Sequence, residues 1–168
     1  KEFLQEPFIF ISCDTLVIEP IQSPSINWIG YSENNEDFER FRTVKLDENN
    51  QIKKILKKGI YEKNQYPYIG LCSIFNYDIF WDAMQNNDPE IIEEGEVYGL
   101  NHLVKSKIVN SNKFTWFDTG SKEGLKKAEK KFKNGINPNI LNKEAEKIWF
   151  VNDKVVKFSI DTDFIQKR

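Results

Sequence analysis

Apolar residues along the chain follow two patterns, short near-continuous runs and stripes three or four residues apart. Pro7-Phe8-Ile9-Phe10-Ile11-Ser12-Cys13 is a near-continuous apolar run, which predicts a central strand covered on both faces. Residues 27–31 predict a short strand, and residues 42–46 and 52–56, either side of Asp47-Glu48-Asn49-Asn50, predict a hairpin with a polar turn. Residues 66–75 predict a further apolar strand, in which Gly70 marks close approach of another backbone. Asn76 is the expected cap of a helix bearing Phe80, Trp81 and Met84. The acidic run 90–96 reads as a solvated loop, and a helix is expected around Leu100, Leu103 and Val104. A strand over 113–117 leads through Asp118-Thr119-Gly120 into a helix from Ser121, whose Leu125, Ala128 and Phe132 recur at helical spacing and predict a face packed on the sheet.

The alternation predicts an α/β fold: a mixed, mostly parallel sheet containing strands 7–13, 66–75 and 113–117, flanked by helices near 76–86 and 121–134. A break falls at Gly135-Ile136-Asn137-Pro138-Asn139. Beyond it, residues 147–151 and 154–160 flank Asn152-Asp153, a two-residue turn suited to a tight hairpin, and Asp161 is the expected cap of a further helix. The expected division is therefore 1–134, a linker at 135–146, and the start of a second unit at 147–168. Trp149, Phe150 and Phe158 carry more apolar surface than an isolated two-stranded unit buries, so this hairpin is expected to pack on a partner, either missing N- and C-terminal parts of the same chain or a second copy of it. The chain has no initiator Met, reaches a core strand within seven residues and ends soon after a new element begins. The expectation is a piece of a longer polypeptide.

Composition narrows the class. The 168 residues are 39% hydrophobic and 30% charged, a soluble globular mixture able to form a sizeable core. No apolar run approaches the roughly 20 residues that span a bilayer, and no leader pattern opens the chain. A net charge of −2 gives no global drive toward nucleic acid. Lys126, Lys127, Lys130, Lys131 and Lys133 read as a solvated helix face. Cys13 and Cys72 lie in apolar runs and read as small buried hydrophobes of a reducing compartment, the cytoplasm being the default.

The candidate chemistry lies in two carboxylates. Asp14 closes the first apolar run and Asp118 closes the run 114–117. In α/β proteins ligands bind in the crevice beyond the strand ends, and two converging carboxylates suit Mg²⁺ shared with substrate phosphates. The same positions also suit an Asp that begins a turn or caps a helix. His102, the single histidine, has no Ser, Asp or metal-ligand arrangement near it in sequence and reads as structural or surface.

The ordered set Phe10-Ile11-Ser12-Cys13-Asp14, Trp28-Ile29-Gly30-Tyr31, Ile55-Leu56-Lys57-Lys58-Gly59, Tyr68-Ile69-Gly70-Leu71 and Trp116-Phe117-Asp118-Thr119-Gly120 resembles the C-terminal two-thirds of sugar-phosphate nucleotidyltransferases, over about residues 5–134. The resemblance implies a nucleotide-diphospho-sugar transferase-like, Rossmann-like fold. It also implies Asp14 and Asp118 as metal-binding and catalytic aspartates, Mg²⁺ as cofactor, and an NTP and a phosphorylated sugar or alcohol as substrates. Lys58 matches a lysine that contacts the acceptor, and Gly30 and Gly70 match glycines where backbone approaches it. In the tail, Asn139-Ile140-Leu141, Ile148-Trp149-Phe150-Val151 and Val155-Val156-Lys157-Phe158 resemble the opening strands of a choline-kinase or aminoglycoside-phosphotransferase-like domain, as in capsule-biosynthesis fusion proteins. There Lys157 matches a strand lysine that contacts ATP phosphates, and it equally suits the exposed position of an alternating hairpin.

Two departures stand out. The family's Gly-rich N-terminal loop, with its Arg and the downstream Pro-Lys, has no counterpart in these residues, so residues 1–168 alone are expected to show no nucleotidyl transfer. The family's Glu-Lys-Pro stands here as Lys57-Lys58-Gly59, which points toward a more anionic acceptor or a different phosphorylated alcohol. The competing function class is a non-catalytic α/β scaffold or interaction module that keeps the fold.

Overall fold

The computed structural model describes residues 4–33, 38–60, 63–85, 88–133, 139–143, 146–151 and 154–159. By its internal contacts the chain divides into two units, Lys1–Leu125 and Lys126–Arg168.

The sheet of the first unit is organised on β6 (Gln65–Ile74), buried along nearly its whole length. Its side chains feed two cores. Tyr68, Cys72 and Ile74 join one, Ile69 and Leu71 the other. β3 (Trp28–Tyr31) runs antiparallel along one edge of β6 and carries β7 (Asn110–Lys113) on its far side, in parallel. The other edge of β6 is shared. β4 (Thr43–Leu46) pairs with its first residues and β1 (Phe8–Ile11) with its last, both antiparallel. β5 (Ile52–Leu56) completes the hairpin with β4. Asp47 Oδ1 organises the hairpin turn, accepting from Asn49 N–H at 2.8 Å and Gln51 N–H at 2.9 Å.

The larger core lies on the helical face. Phe80 of α1 (Tyr77–Met84) and Val97, Leu100 and Leu103 of α3 (Glu96–Ser106) pack there with Ile29, Val44 and Ile55. Each such fully buried side chain stabilises by about 1.5–3 kcal/mol relative to exposure. The opposite face holds Trp28, Ile69, Leu71 and Phe114, with Ile9, Val17 and Trp116 packed against them.

Several expectations need correction. The sheet is mixed but mostly antiparallel, with β3–β7 its one parallel pair among the described residues. β4 and β5 are joined by a tight turn that permits only antiparallel pairing, whereas three helices separate β6 from β7 and allow the chain to return beside β3. β1 is half-buried and pairs only with β6 among the described residues, so it is an edge strand. Its run is apolar on both faces because Phe8 and Phe10 pack on one core and Ile9 on the other. Cys13, just beyond it, is exposed, while Cys72 is buried and burial pushes its thiol up to about 12.

The strand expected over 113–117 is two strands. β7 stays in the main sheet, Phe114 is buried, and β8 (Trp116–Asp118) leaves to pair with β2 (Thr15–Val17). The acidic run is not a loop. α2 (Pro89–Glu94) starts with Asp88 Oδ1 accepting from Glu90 N–H at 2.9 Å and Pro89 in the first turn. Asn76 precedes α1 but caps nothing with its side chain. Buried Asn27 instead fixes the chain just before the helix, its Oδ1 accepting from the N–H groups of Phe75 and Asn76 at 2.9 and 3.1 Å. On α4 (Lys122–Lys133) the lysines 126, 127, 130 and 131 are exposed and Ala128 is buried, but Leu125 stays 46% exposed, so its apolar stripe is covered over only part of its length.

The second unit contains a three-stranded antiparallel sheet, β9 (Asn139–Lys143), β10 (Glu146–Val151) and β11 (Lys154–Ser159), in the order β11-β10-β9. The stretch read as a linker thus contains β9. Residues 135–138, the Asn152-Asp153 turn, Asp161, and the side chains of Lys157, Trp149, Phe150 and Phe158 lie outside the described residues.

Candidate functional site

The site is carried by the β2–β8 ribbon and the turns at one end of it. After β1, Ser12 N–H donates to Gly70 O at 2.7 Å and Thr15 Oγ1 donates to Ile69 O, which pins the Ser12–Asp14 turn onto β6. Gly70 is the residue that permits this approach. Its φ is +67°, and a Cβ there would stand 2.2 Å from Ser12 Oγ. It lies in a bulge: between the pairs Ile29–Cys72 and Tyr31–Tyr68, three residues of β6 face the single Gly30. A Cβ on Gly30 would in turn stand 3.0 Å from Leu71 O.

In the ribbon Thr15 stands opposite Asp118. Thr119 closes one end, its N–H and Oγ1 both donating to Asp14 O at 2.9 Å. Gly120 N–H donates to Asp118 Oδ1 at 3.0 Å, and Ser121 Oγ accepts from Gly124 N–H at 3.0 Å where α4 begins. The two carboxylates flank Gly120. A Cβ on that glycine would stand 2.9 Å from Asp14 Oδ2 and 3.2 Å from Asp118 Oδ1. The two oxygens are therefore no farther apart than those distances laid end to end. Neither carboxylate has an ion-pair partner among the described residues, and Asp14 is exposed while Asp118 is half-buried.

Two hard oxygen donors flanking Gly120, with no ion-paired cation among the described residues, have the donor chemistry of a site for Mg²⁺ that takes its remaining ligands from water or phosphate. Among the described residues no group of three or more His, Cys, Asp or Glu forms a self-sufficient metal cage. Two residues before Asp118, the Trp116 indole N–H is buried without an acceptor, the kind of group a ligand can satisfy.

The far end of the ribbon is fastened by a residue that sequence reasoning missed. Glu19 accepts from Thr115 N–H at 2.8 Å and from Thr115 Oγ1 at 2.6 Å, and Ile18 N–H donates to Thr115 O at 3.3 Å. No local sequence pattern links positions 96 residues apart. The Thr115 hydroxyl is the largest cause holding the Glu19 carboxyl below its ordinary value. A lowered folded pKa contributes stability above the unfolded Glu range and loses it as pH falls through the folded value. Glu19→Gln is therefore expected to flatten the acid limb of thermal stability measured from neutral pH downward. An acid limb identical to wild type would show that Glu19 does not fasten the ribbon.

Lys58 is exposed after β5, next to Gly59 at φ +77°. No contact ties it to the Asp14–Asp118 pair among the described residues. Lys57 turns to α2, its Nζ 3.2 Å from Glu93 and 3.3 Å from Glu94. Hydrogen bonding to Glu93, then to Glu94, raises its pKa. His102 is half-buried with its ring 4.8 Å from that of Tyr98, outside the ribbon.

No protein-family model matches the chain, and no curated protein matches it either. Solved structures do. A structure assigned as a glucose-1-phosphate thymidylyltransferase from Bacillus anthracis, in complex with a sucrose, aligns at TM-score 0.65 and 19% identity, covering 84% of this chain and 59% of that one. A UDP-glucose pyrophosphorylase complexed with UDP-glucose aligns at TM-score 0.62 and 18% identity, covering 80% and 59%. The inositol-1-phosphate CTP transferase from T. maritima aligns at 0.54 and 17%, covering 80% and 60%. The chain spans less than two thirds of the length of each. Among the described residues no helix is long and apolar enough to cross a membrane. At these identities the likeness establishes architecture: the chain has the α/β fold seen in sugar-phosphate nucleotidyltransferases.

Proposed function

We propose that this chain belongs to a nucleotidyltransferase that joins the nucleoside monophosphate part of an NTP to a phosphorylated sugar or alcohol. An acceptor phosphate oxygen attacks the α-phosphorus, the bond from that phosphorus to the β-phosphate oxygen breaks, and pyrophosphate leaves with the electron pair. The observation that carries the reading is the convergence of the Asp14 and Asp118 carboxylates on Gly120, within a fold shared with nucleotidyltransferases. Mg²⁺ bound there would supply charge neutralisation between the reacting phosphates.

The chain's own part is positional. Asp14 and Asp118 hold the cation-binding oxygens. The Thr119 bonds to Asp14 O and the Glu19 bonds to Thr115 keep the two strands in register, so that little reorganisation accompanies transfer. Lys58, as a flexible point charge, contacts the acceptor phosphate, and backbone approaches the acceptor at Gly30 and Gly70. The product class is an NDP- or CDP-activated precursor for a surface polysaccharide, made in the cytoplasm where NTPs are supplied. Residues 147–168 begin a second, kinase-like domain.

The test is pyrophosphate release by the protein at its natural length, each NTP being paired with a panel of phosphorylated sugars and alcohols in Mg²⁺. Release with one pairing well above the rest is expected. Absence of release from every pairing would favour the scaffold reading.

A further inference from the structure

On the helical side of the molecule, β5, α2 and α3 enclose a hollow of about 350 Å³, within the range of small-molecule sites. Lys53, Lys54, His102 and Lys105 line it, with Glu90 and Glu94 on the α2 wall. It shares no residue with the Asp14–Asp118 ribbon and does not depend on the function proposed above.

Its floor is held in place. Asn101 Oδ1 accepts from Ile55 N–H at 3.0 Å and its Nδ2 donates to Ile55 O at 3.4 Å, so this side chain stands where a further strand would pair with β5. Tyr98 OH donates to Asp88 Oδ2 at 3.0 Å, and the His102 ring lies against the Tyr98 ring. The charges around this floor do not balance. Glu94 is already paired with Lys57, whereas Lys53 and Lys105 have no ion-pair partner among the described residues. Lys53, Lys105 and His102 thus border a recess walled on one side by the Tyr98–His102 ring pair.

We infer that this hollow is a binding site for a small organic phosphate, its phosphoryl group held by Lys53 and Lys105 and its organic part against the Tyr98–His102 ring pair. Lysine ammoniums supply rotatable donors to phosphate oxygens, and charge-assisted hydrogen bonds are the stronger class.

The single histidine makes the test direct, because the His102 imidazole resonances are the only ones of their kind in the protein. The full chain, in metal-free buffer of fixed ionic strength, is titrated with inorganic phosphate and separately with phenyl phosphate. A saturable shift of the His102 resonances is expected, with phenyl phosphate half-saturating near or below about 1 mM and tighter than inorganic phosphate. The Lys53→Gln/Lys105→Gln double variant should weaken it roughly tenfold. Asp118→Asn should leave it unaltered, which separates this site from the ribbon. A non-saturating shift, an equal shift from matched sodium chloride, or full affinity in a folded double variant would overturn the site. Equal affinity for the two probes would overturn the role given to the Tyr98–His102 ring pair.

Discussion

Asp118→Asn is expected to remove pyrophosphate release by at least on the order of 10²–10³ in turnover while leaving the unfolding midpoint almost unchanged. The two halves of this expectation have separate causes. Asn keeps an oxygen in the place of Oδ1, so the bond from Gly120 N–H at 3.0 Å survives, and with it the turn that leads into α4. What disappears is one of the two negative charges beside Gly120, on which the proposed cation binding would depend. Asp118→Ala separates the contributions further, since it loses the charge and the turn acceptor together and should also cost stability by about 1 kcal/mol. Measuring turnover and thermal unfolding on both variants decides between the two readings of this aspartate. An Asn variant with wild-type turnover would leave Asp118 as a turn residue alone.

Gly70→Ala should be strongly destabilising, by about 2–5 kcal/mol in denaturant unfolding. One part is conformational, because φ of +67° costs a residue with a Cβ roughly 1–2 kcal/mol. The other is steric. The new methyl would stand 2.2 Å from Ser12 Oγ and 2.7 Å from Ser12 Cβ, and overpacking of this kind typically costs about 1–3 kcal/mol. Adding Ser12→Gly should relieve the steric part and leave the conformational one. The double variant is therefore expected to be more stable than Gly70→Ala and less stable than wild type. If it is no more stable than Gly70→Ala, the clash with Ser12 is not what makes glycine necessary. Because Ser12 N–H bonds to Gly70 O, any shift here also moves the turn that carries Asp14.

Much of the first unit follows from local chemistry and was legible in the sequence. The β4–β5 hairpin is written in a polar turn between two alternating runs, where Asp47 bonds to the backbone just after it. The existence of β6, α1, α3 and α4 follows from burial periodicity. The placement of Gly70 at a close approach follows from a glycine inside an apolar strand. The α2 start was legible too, in Asp88-Pro89-Glu90, and was masked by reading a run of acids as solvent-facing loop.

Partnership between distant segments was not legible. An apolar run reports how many of its faces are covered, not how many of its edges are paired. That is why Pro7 to Cys13 could be read as a central strand although β1 lies on the shared edge of β6. Strand direction depends on which segments meet, and only the tertiary structure shows β3, β4 and β1 all running against β6. The same limit applies at the candidate site. Sequence alone marked Asp14 and Asp118 as carboxylates at the ends of apolar runs. It could not place both beside Gly120, pair Glu19 with Thr115, or turn Lys57 toward α2, because each depends on contacts between residues far apart in the chain.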